Sequence, residues 1–308
     1  MTIRNVLRAL AWLAIAAVLL YLLLARPESL RRLVQSIAGL PATLWLKLLA
    51  AWMFGTAMRT LRWHLLIRRF GPDLSYTRQT VIYLAGFAMA LTPGKLGESI
   101  RSPYLKQHGV KYAHSLAAFG ADRLYDLIAV TIIALGALEL IAGRSDWFWQ
   151  ALAIMAAGLA LLQTPWALQL VNAVCRWQRL TPVRESLLAG LTLVRGRILL
   201  MGLGLSLATW LSFTSSLWFT LVAIGEPLPI MDAMPSYAMA LLAGAASFIP
   251  GGLGATEAAM TWLLTHQGIS LASAVAAAVV SRGASLWWSV FVGLCCLAWL
   301  GGGRSAHR

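Results

Sequence analysis

Pro93-Gly94-Lys95-Leu96-Gly97 and Pro250-Gly251-Gly252-Leu253-Gly254 decide how the rest of this chain is read. Each closes a short apolar run, residues 81–91 in the first case and 237–249 in the second. A helix needs about 20 apolar residues to cross a bilayer, so neither run spans alone. Proline removes a backbone donor and glycine tolerates unusual dihedrals, so a helix must break at both places. Broken helix at membrane depth is tolerated only where it is buried in protein or lines a cavity. Both segments are therefore expected to be re-entrant helical hairpins hinged at Pro93, Gly94 and Gly97, and at Pro250, Gly251, Gly252 and Gly254.

The two prolines are 157 positions apart (250 − 93), and four of the five motif residues are identical. The same displacement carries Pro41 onto Ile198, each at the start of a longer apolar run, and Ala113 onto Ser270, one residue before another. Residues 41–141 and 198–300 thus read as two repeats: spanning helix, short helix, break, short helix, spanning helix. The last helix of each carries an embedded arginine, Arg123 or Arg282, the second two residues beyond the offset. Outside P-G-x-L-G the identities are weak.

Composition agrees with a membrane location. Of 308 residues, 59% are hydrophobic and only 12% charged, against about 25% charged in a soluble domain. Twenty-five Lys and Arg against 11 Asp and Glu give a net charge of +14, but the basic residues sit in short clusters between apolar runs. That is the pattern of cytoplasmic loops, not of a nucleic-acid-binding face. Long runs lie at 41–63, 113–141, 147–163, 198–224 and 271–300. Residues 6–24 are too long for a usual signal-peptide core and lack an A-x-A-like site, so they read as a retained anchor helix. The expected fold is an all-α polytopic membrane protein forming a single domain over residues 1–308, with about six spanning helices and two re-entrant hairpins.

Arg62, Arg68, Arg69 and Arg78 flank one loop, Lys106 and Lys111 the next, and Arg176, Arg179, Arg184, Arg195 and Arg197 fill a linker. The positive-inside rule sends these to the cytoplasm, while the hinge with Glu139, Arg144 and Asp146 and the loop with Glu226 and Asp232 go outside. Arg26, Arg31 and Arg32 are discordant. Both termini then lie inside, in the cytoplasmic membrane, and the two repeats are inverted. Residues 147–197 hold a connecting span and a basic linker. There Trp166, Leu170, Val171, Val174 and Trp177, then Leu187, Leu188, Leu191 and Val194 after Thr181-Pro182, predict one or two interfacial helices.

Cys175, Cys295 and Cys296 and the five histidines form no metal-ligand spacing, and no nucleophile elbow, P-loop or dinucleotide fingerprint occurs. Neither metal nor cofactor is expected, and enzyme activity is not. The chemistry concentrates elsewhere. Asp122 and Asp126 share a helix face, with Arg123 in reach of Asp126. The trio is either a self-satisfied staple between helices or an arginine on an anionic ligand, held by aspartates. Arg282 has no acid within one turn, and Glu257 is the nearest candidate partner in sequence. Lys95, Glu98 and Arg101 surround the first break. A helix starting near Leu96 or Gly97 would aim free N–H groups at an anion, with Glu98 a possible dipole partner. Together these groups suit the phosphate of an anionic or zwitterionic amphiphile.

These elements, in this order, resemble the flippase-like transmembrane domain of lysylphosphatidylglycerol synthases: Pro93-Gly94-Lys95-Leu96-Gly97-Glu98 with Arg101, Asp122-Arg123-x-x-Asp126, Pro250-Gly251-Gly252-Leu253-Gly254 with Glu257, and Arg282 before Trp287-Trp288. Asp122 stands where the family is associated with Glu. In two-domain members this region resembles a flippase for aminoacylated phosphatidylglycerol, and a separate soluble domain makes that lipid. Here the sequence stops at Arg308, eight residues after the last run (308 − 300), so the resemblance is to a stand-alone member without the synthase domain. It implies a lipid transporter of the inner membrane, with Lys95, Glu98, Arg101, Asp122, Arg123, Asp126, Glu257 and Arg282 as substrate-binding residues. Inverted repeats with broken helices are a transporter architecture. The alternatives are a membrane-embedded lipid or glycolipid transferase, and a non-transporting partner of a lipid-modifying enzyme or glycosyltransferase. The partners expected are a membrane lipid and, in an open alternative, a second copy of the chain, with no nucleic acid.

Overall fold

A computed structural model describes residues 37–71, 74–137, 145–176 and 180–302. The anchor segment 6–24, the end of the first repeat at 138–141, Glu139, Arg144, Trp177, Arg179 and the cluster Arg26, Arg31 and Arg32 lie outside the described residues, as do the side chains of residues 93–96. The fold is all-helical, and no strand occurs among the described residues.

Helix α1 runs Ala42–Ile67, and α2, Tyr76–Ala85, starts where the Ser75 hydroxyl accepts the Arg78 N–H. A 3₁₀ turn, Gly86–Met89, leads to the first break, a second 3₁₀ segment Pro93–Ile100 that runs into α3, Arg101–Lys106. Helix α4, Tyr112–Ala134, follows, then α5, Ser145–Gln163, and α6, Pro165–Val174, bent from each other by 76° at Thr164-Pro165. The linker forms two helices, α6 and α7 (Thr181–Leu193), with Trp166, Leu170, Val174, Val183 and Leu187 exposed. The Thr181-Pro182 pair, expected to cap α7 with Pro182 as its first residue, sits one place further in, since Thr181 is already helical.

Helix α8, Gly196–Ala223, packs along α1. The Thr209 and Ser212 hydroxyls donate to the Gly55 and Ala51 carbonyls of α1 (3.3 and 2.8 Å), and Gly55 gives the Phe213 ring room to close in. Small and hydroxylated residues holding helices at short range are how membrane helices associate without a hydrophobic driving force. Helix α9, Ile230–Ala246, reaches the second break at Pro250–Gly252, and α10, Ala255–His266, leaves it. Helices α11, Leu271–Arg282, and α12, Trp288–Gly302, are joined by a π turn over Gly283–Trp287.

Gly196–Ala223 and Leu271–Gly301 are each long and apolar enough to cross a membrane, and the bent α5–α6 pair qualifies if taken as one span. Helices α1 and α4 have the length but carry charge: Arg59 and Arg62 on one, Asp122, Arg123 and Asp126 on the other. Packing crosses between the halves of the chain. Helix α2 lies against α12, while α9 lies against α4. The approach of α12 is close enough that a side chain at Gly293 would run into the backbone of Phe87-Ala88.

Candidate functional site

Arg59 and Arg62 are three apart on α1 and therefore share a face, which meets the Asp122–Asp126 face of α4. Arg62 donates through Nε and Nη2 to Asp122 Oδ1 (2.9 and 2.6 Å), through Nη1 to Asp126 Oδ1 (2.9 Å), and also to the Ser206 hydroxyl. Arg59 Nη2 donates to Asp126 Oδ2 (2.6 Å), and the Trp210 indole N–H to Asp126 Oδ1 (2.9 Å). Arg123 Nη2 lies 2.6 Å from Asp122 Oδ2, 3.3 Å from Asp126 Oδ2 and 3.7 Å from Glu98 Oε2. Its nearer partner is thus the adjacent aspartate and not the one a turn away. Glu98 also accepts from Arg101 Nη2 (2.7 Å), while Arg101 Nε donates to the Tyr83 carbonyl (3.0 Å) and its guanidinium lies 4.0 Å from the Tyr83 ring centroid. Gly86 is a glycine because a methyl group there would overlap that guanidinium.

This network gathers Glu98, Arg101, Asp122, Arg123 and Asp126 from the sequence-predicted set and adds Arg59 and Arg62. Arg62 is a correction: grouped by sequence with the basic loop, it is 1% exposed and grips two aspartates. Most members are buried, and Arg123, with its side chain 20% exposed, is the most open. Four guanidinium groups face three carboxylates, an excess of one positive charge among the described residues. Burying unmatched charge costs several kcal/mol. Three guanidinium nitrogens, Arg59 Nε, Arg101 Nη1 and Arg123 Nε, are buried without a hydrogen-bond partner among the described residues.

The first break differs from its expected form. Its helical turn begins at Pro93 and not near Leu96 or Gly97, with Thr92 as the residue before it. The Gly97 N–H donates to Thr92 Oγ1 (2.8 Å), so that donor is taken by the chain itself. Lys95 lies within this turn.

At the second break Arg282 meets Glu257, as the lack of a closer acid in the sequence predicted. Its Nε lies 3.1 Å from Glu257 Oε1, and its Nη2 donates to the Gly251 carbonyl (2.8 Å). The other Glu257 oxygen accepts the Gly254 N–H (2.7 Å), closing the start of α10. Glutamate and arginine thus tie the turn down from both sides. The two breaks also touch: Leu91, just before the first, packs with Leu253, and its side chain fills the space beside Gly251.

Apolar helices wrapped around a buried, charge-rich cluster, with two interrupted helices touching beside it, define an integral membrane protein with an internal polar site. The chain belongs to the family of the lysylphosphatidylglycerol synthase TM region, whose profile matches residues 10–293. It is also similar to two proteins of Methanothermobacter thermautotrophicus (strain Delta H), each named a UPF0104 membrane protein. One is 25% identical over 276 residues, covering 80% of this chain and 82% of the relative. The other is 23% identical over 272 residues, covering 76% and 77%.

Proposed function

We propose that this chain is a lipid transporter of the cytoplasmic membrane, translocating an anionic or zwitterionic phospholipid or lipid-linked intermediate. The observation that carries the reading is the buried cluster around Arg123, with an excess positive charge and three guanidinium nitrogens that lack a hydrogen-bond partner among the described residues. A phosphodiester brings one negative charge and acceptor oxygens, which match both deficits, and arginine binds phosphate with charge-assisted hydrogen bonds. Acyl chains would remain toward the bilayer. Lys95, Glu98, Arg101, Asp122, Arg123, Asp126, Glu257 and Arg282 are the proposed headgroup contacts and their holders.

The inverted-repeat reading, with about six spans, two re-entrant hairpins and both termini cytoplasmic, belongs to this proposal. Two features support it. The packing is exchanged between halves, α2 on α12 and α9 on α4, as a two-fold relation requires. Glu98 and Glu257 are 159 positions apart, and so are Arg123 and Arg282, so the Glu–Arg contact at each break recurs with one displacement. Rocking of such halves about a central site is a known route to alternating access.

The test is movement of a fluorescent phosphatidylglycerol between leaflets of proteoliposomes, read by quenching of outer-leaflet probe with a membrane-impermeant reductant. Quenching beyond the outer-leaflet fraction, above that of protein-free vesicles, is expected. Identical quenching in both, with folded protein present, overturns transport of that lipid.

A further inference from the structure

A cavity of about 350 Å³ opens where the end of α1 meets the start of α8. It is lined by Arg62, Leu65, Leu66, Arg68, Arg69, Ile198, Met201 and Gly202, three arginines and four apolar side chains with no acid among these lining residues. The volume lies in the range of roughly 300–1,000 Å³ common to small-ligand sites. Arg68 and Arg69 are exposed at its rim, whereas Arg62, at 1% exposure, has its guanidinium in the aspartate network. Ile198 is the third residue of α8, so the wall includes the N-terminal turn of a 28-residue helix, whose first amide, that of Gly196, already donates to Gln163 Oε1 (3.2 Å). Met201 and the neighbouring Leu200 are exposed on the outer flank.

We infer that this cavity binds the headgroup of an anionic phospholipid, phosphate against Arg68 and Arg69 and acyl chains along Leu65 and Met201. Charge complementarity commits the site to an anion. The aliphatic walls and the apolar flank commit it to a lipid and not to free phosphate, which would leave them unused. Arg62 gives the site a function beyond anchorage, because one side chain joins it to the aspartates that hold Arg123. On the orientation proposed above the cavity faces the cytoplasmic leaflet, which makes it a loading site for the buried cluster. Binding itself does not depend on lipid being moved.

The experiment is calorimetric titration of the purified full-length protein, in neutral detergent, with dioctanoyl phosphatidylglycerol, dioctanoyl phosphatidylcholine and inorganic phosphate. Saturable binding of the first is expected, at least tenfold tighter than the second, with no displacement by phosphate at equal concentration. Arg68→Gln/Arg69→Gln, at exposed positions, and Met201→Trp, which fills the cavity but keeps its charges, should each weaken binding at least tenfold. Unchanged affinity in either variant overturns the site, and so does a lipid held at the buried cluster instead, since it would ignore both. Full displacement by phosphate overturns the lipid in favour of the free ion. Vesicles in which no lipid moves while this binding persists count against transport alone.

Discussion

Residues 93–97 and 250–254 carry nearly the same pentapeptide, yet the first coils into a right-handed 3₁₀ segment while the second turns through Gly251, Gly252 and Gly254 at φ of 64°, 64° and 81°. The third position separates them. A lysine stands in the first motif and a glycine in the second, and only glycine readily takes consecutive positive φ values. At Gly252 the space is closed as well, since a Cβ would sit 2.7 Å from Thr256 Oγ1. Proline and glycine set where each helix stops, and the residue between them sets how. The surroundings differ in the same sense. Among the described residues the first break adjoins four arginines and three carboxylates, whereas the second rests on one Arg–Glu pair tied to its own backbone.

That contrast predicts unequal responses to the loss of an acid. Asp122→Ala strips Arg62 and Arg123 of a fully buried carboxylate that each holds at 2.6 Å, and breaking a buried pair costs about 3–5 kcal/mol. Glu257→Ala removes a partner whose side chain is 24% exposed and leaves Arg282 its bond to the Gly251 carbonyl, so the loss should be about 1–2 kcal/mol, close to that of a helix cap. Denaturant unfolding in detergent, followed by circular dichroism, checks the order. Equal losses would mean that the two sites are equivalent after all.

A second contrast lies upstream of the breaks. Gly86→Ala forces a methyl group onto the Arg101 guanidinium and should cost about 1–3 kcal/mol through overpacking. The position 157 residues on is Ala243, which is exposed, and Ala243→Leu should change stability by less than about 0.5 kcal/mol. A third contrast distinguishes the breaks themselves, by trend and not by size. Gly254 has open space around it but φ of 81° with ψ of −49°, so Ala and Gln there should cost the same, about 1–3 kcal/mol. At Gly97 the conformation is ordinary, but a Cβ would lie 2.6 Å from Thr92 Cγ2, so the cost should climb from Ala to Gln. A melting-temperature series at both positions reads this difference, and a shared trend would contradict it.

Much of this arrangement was legible in the sequence because it follows from rules with a fixed spacing. Pro-Gly breaks end helices, residues four apart share a face, and an arginine inside an apolar run needs an acid. These rules led to both interruptions, to the common face of Asp122 and Asp126, to the Arg282–Glu257 pair and to the two linker helices. Arg59 lies inside the apolar run at 41–63 and Arg62 at its end, and Arg62 escaped for a physical reason. α1 continues to Ile67, beyond the apolar run read from sequence, which carries Arg62 more than a turn inside the helix and away from the basic loop. The overlooked signal was their three-residue spacing, which could have been matched to the aspartates of α4. The start of the first 3₁₀ segment was beyond such rules, because it depends on the Thr92 hydroxyl capturing the Gly97 amide.

The central claim is that the buried arginines of both halves serve one lipid-translocating site. It is tested most directly by the leaflet-sidedness assay on wild type, Arg123→Gln and Arg282→Gln, each confirmed as monodisperse, folded protein before reconstitution. The account predicts protein-dependent movement of phosphatidylglycerol in the wild type and its loss, at least tenfold in rate, in both variants. Full transport by either folded variant would contradict it.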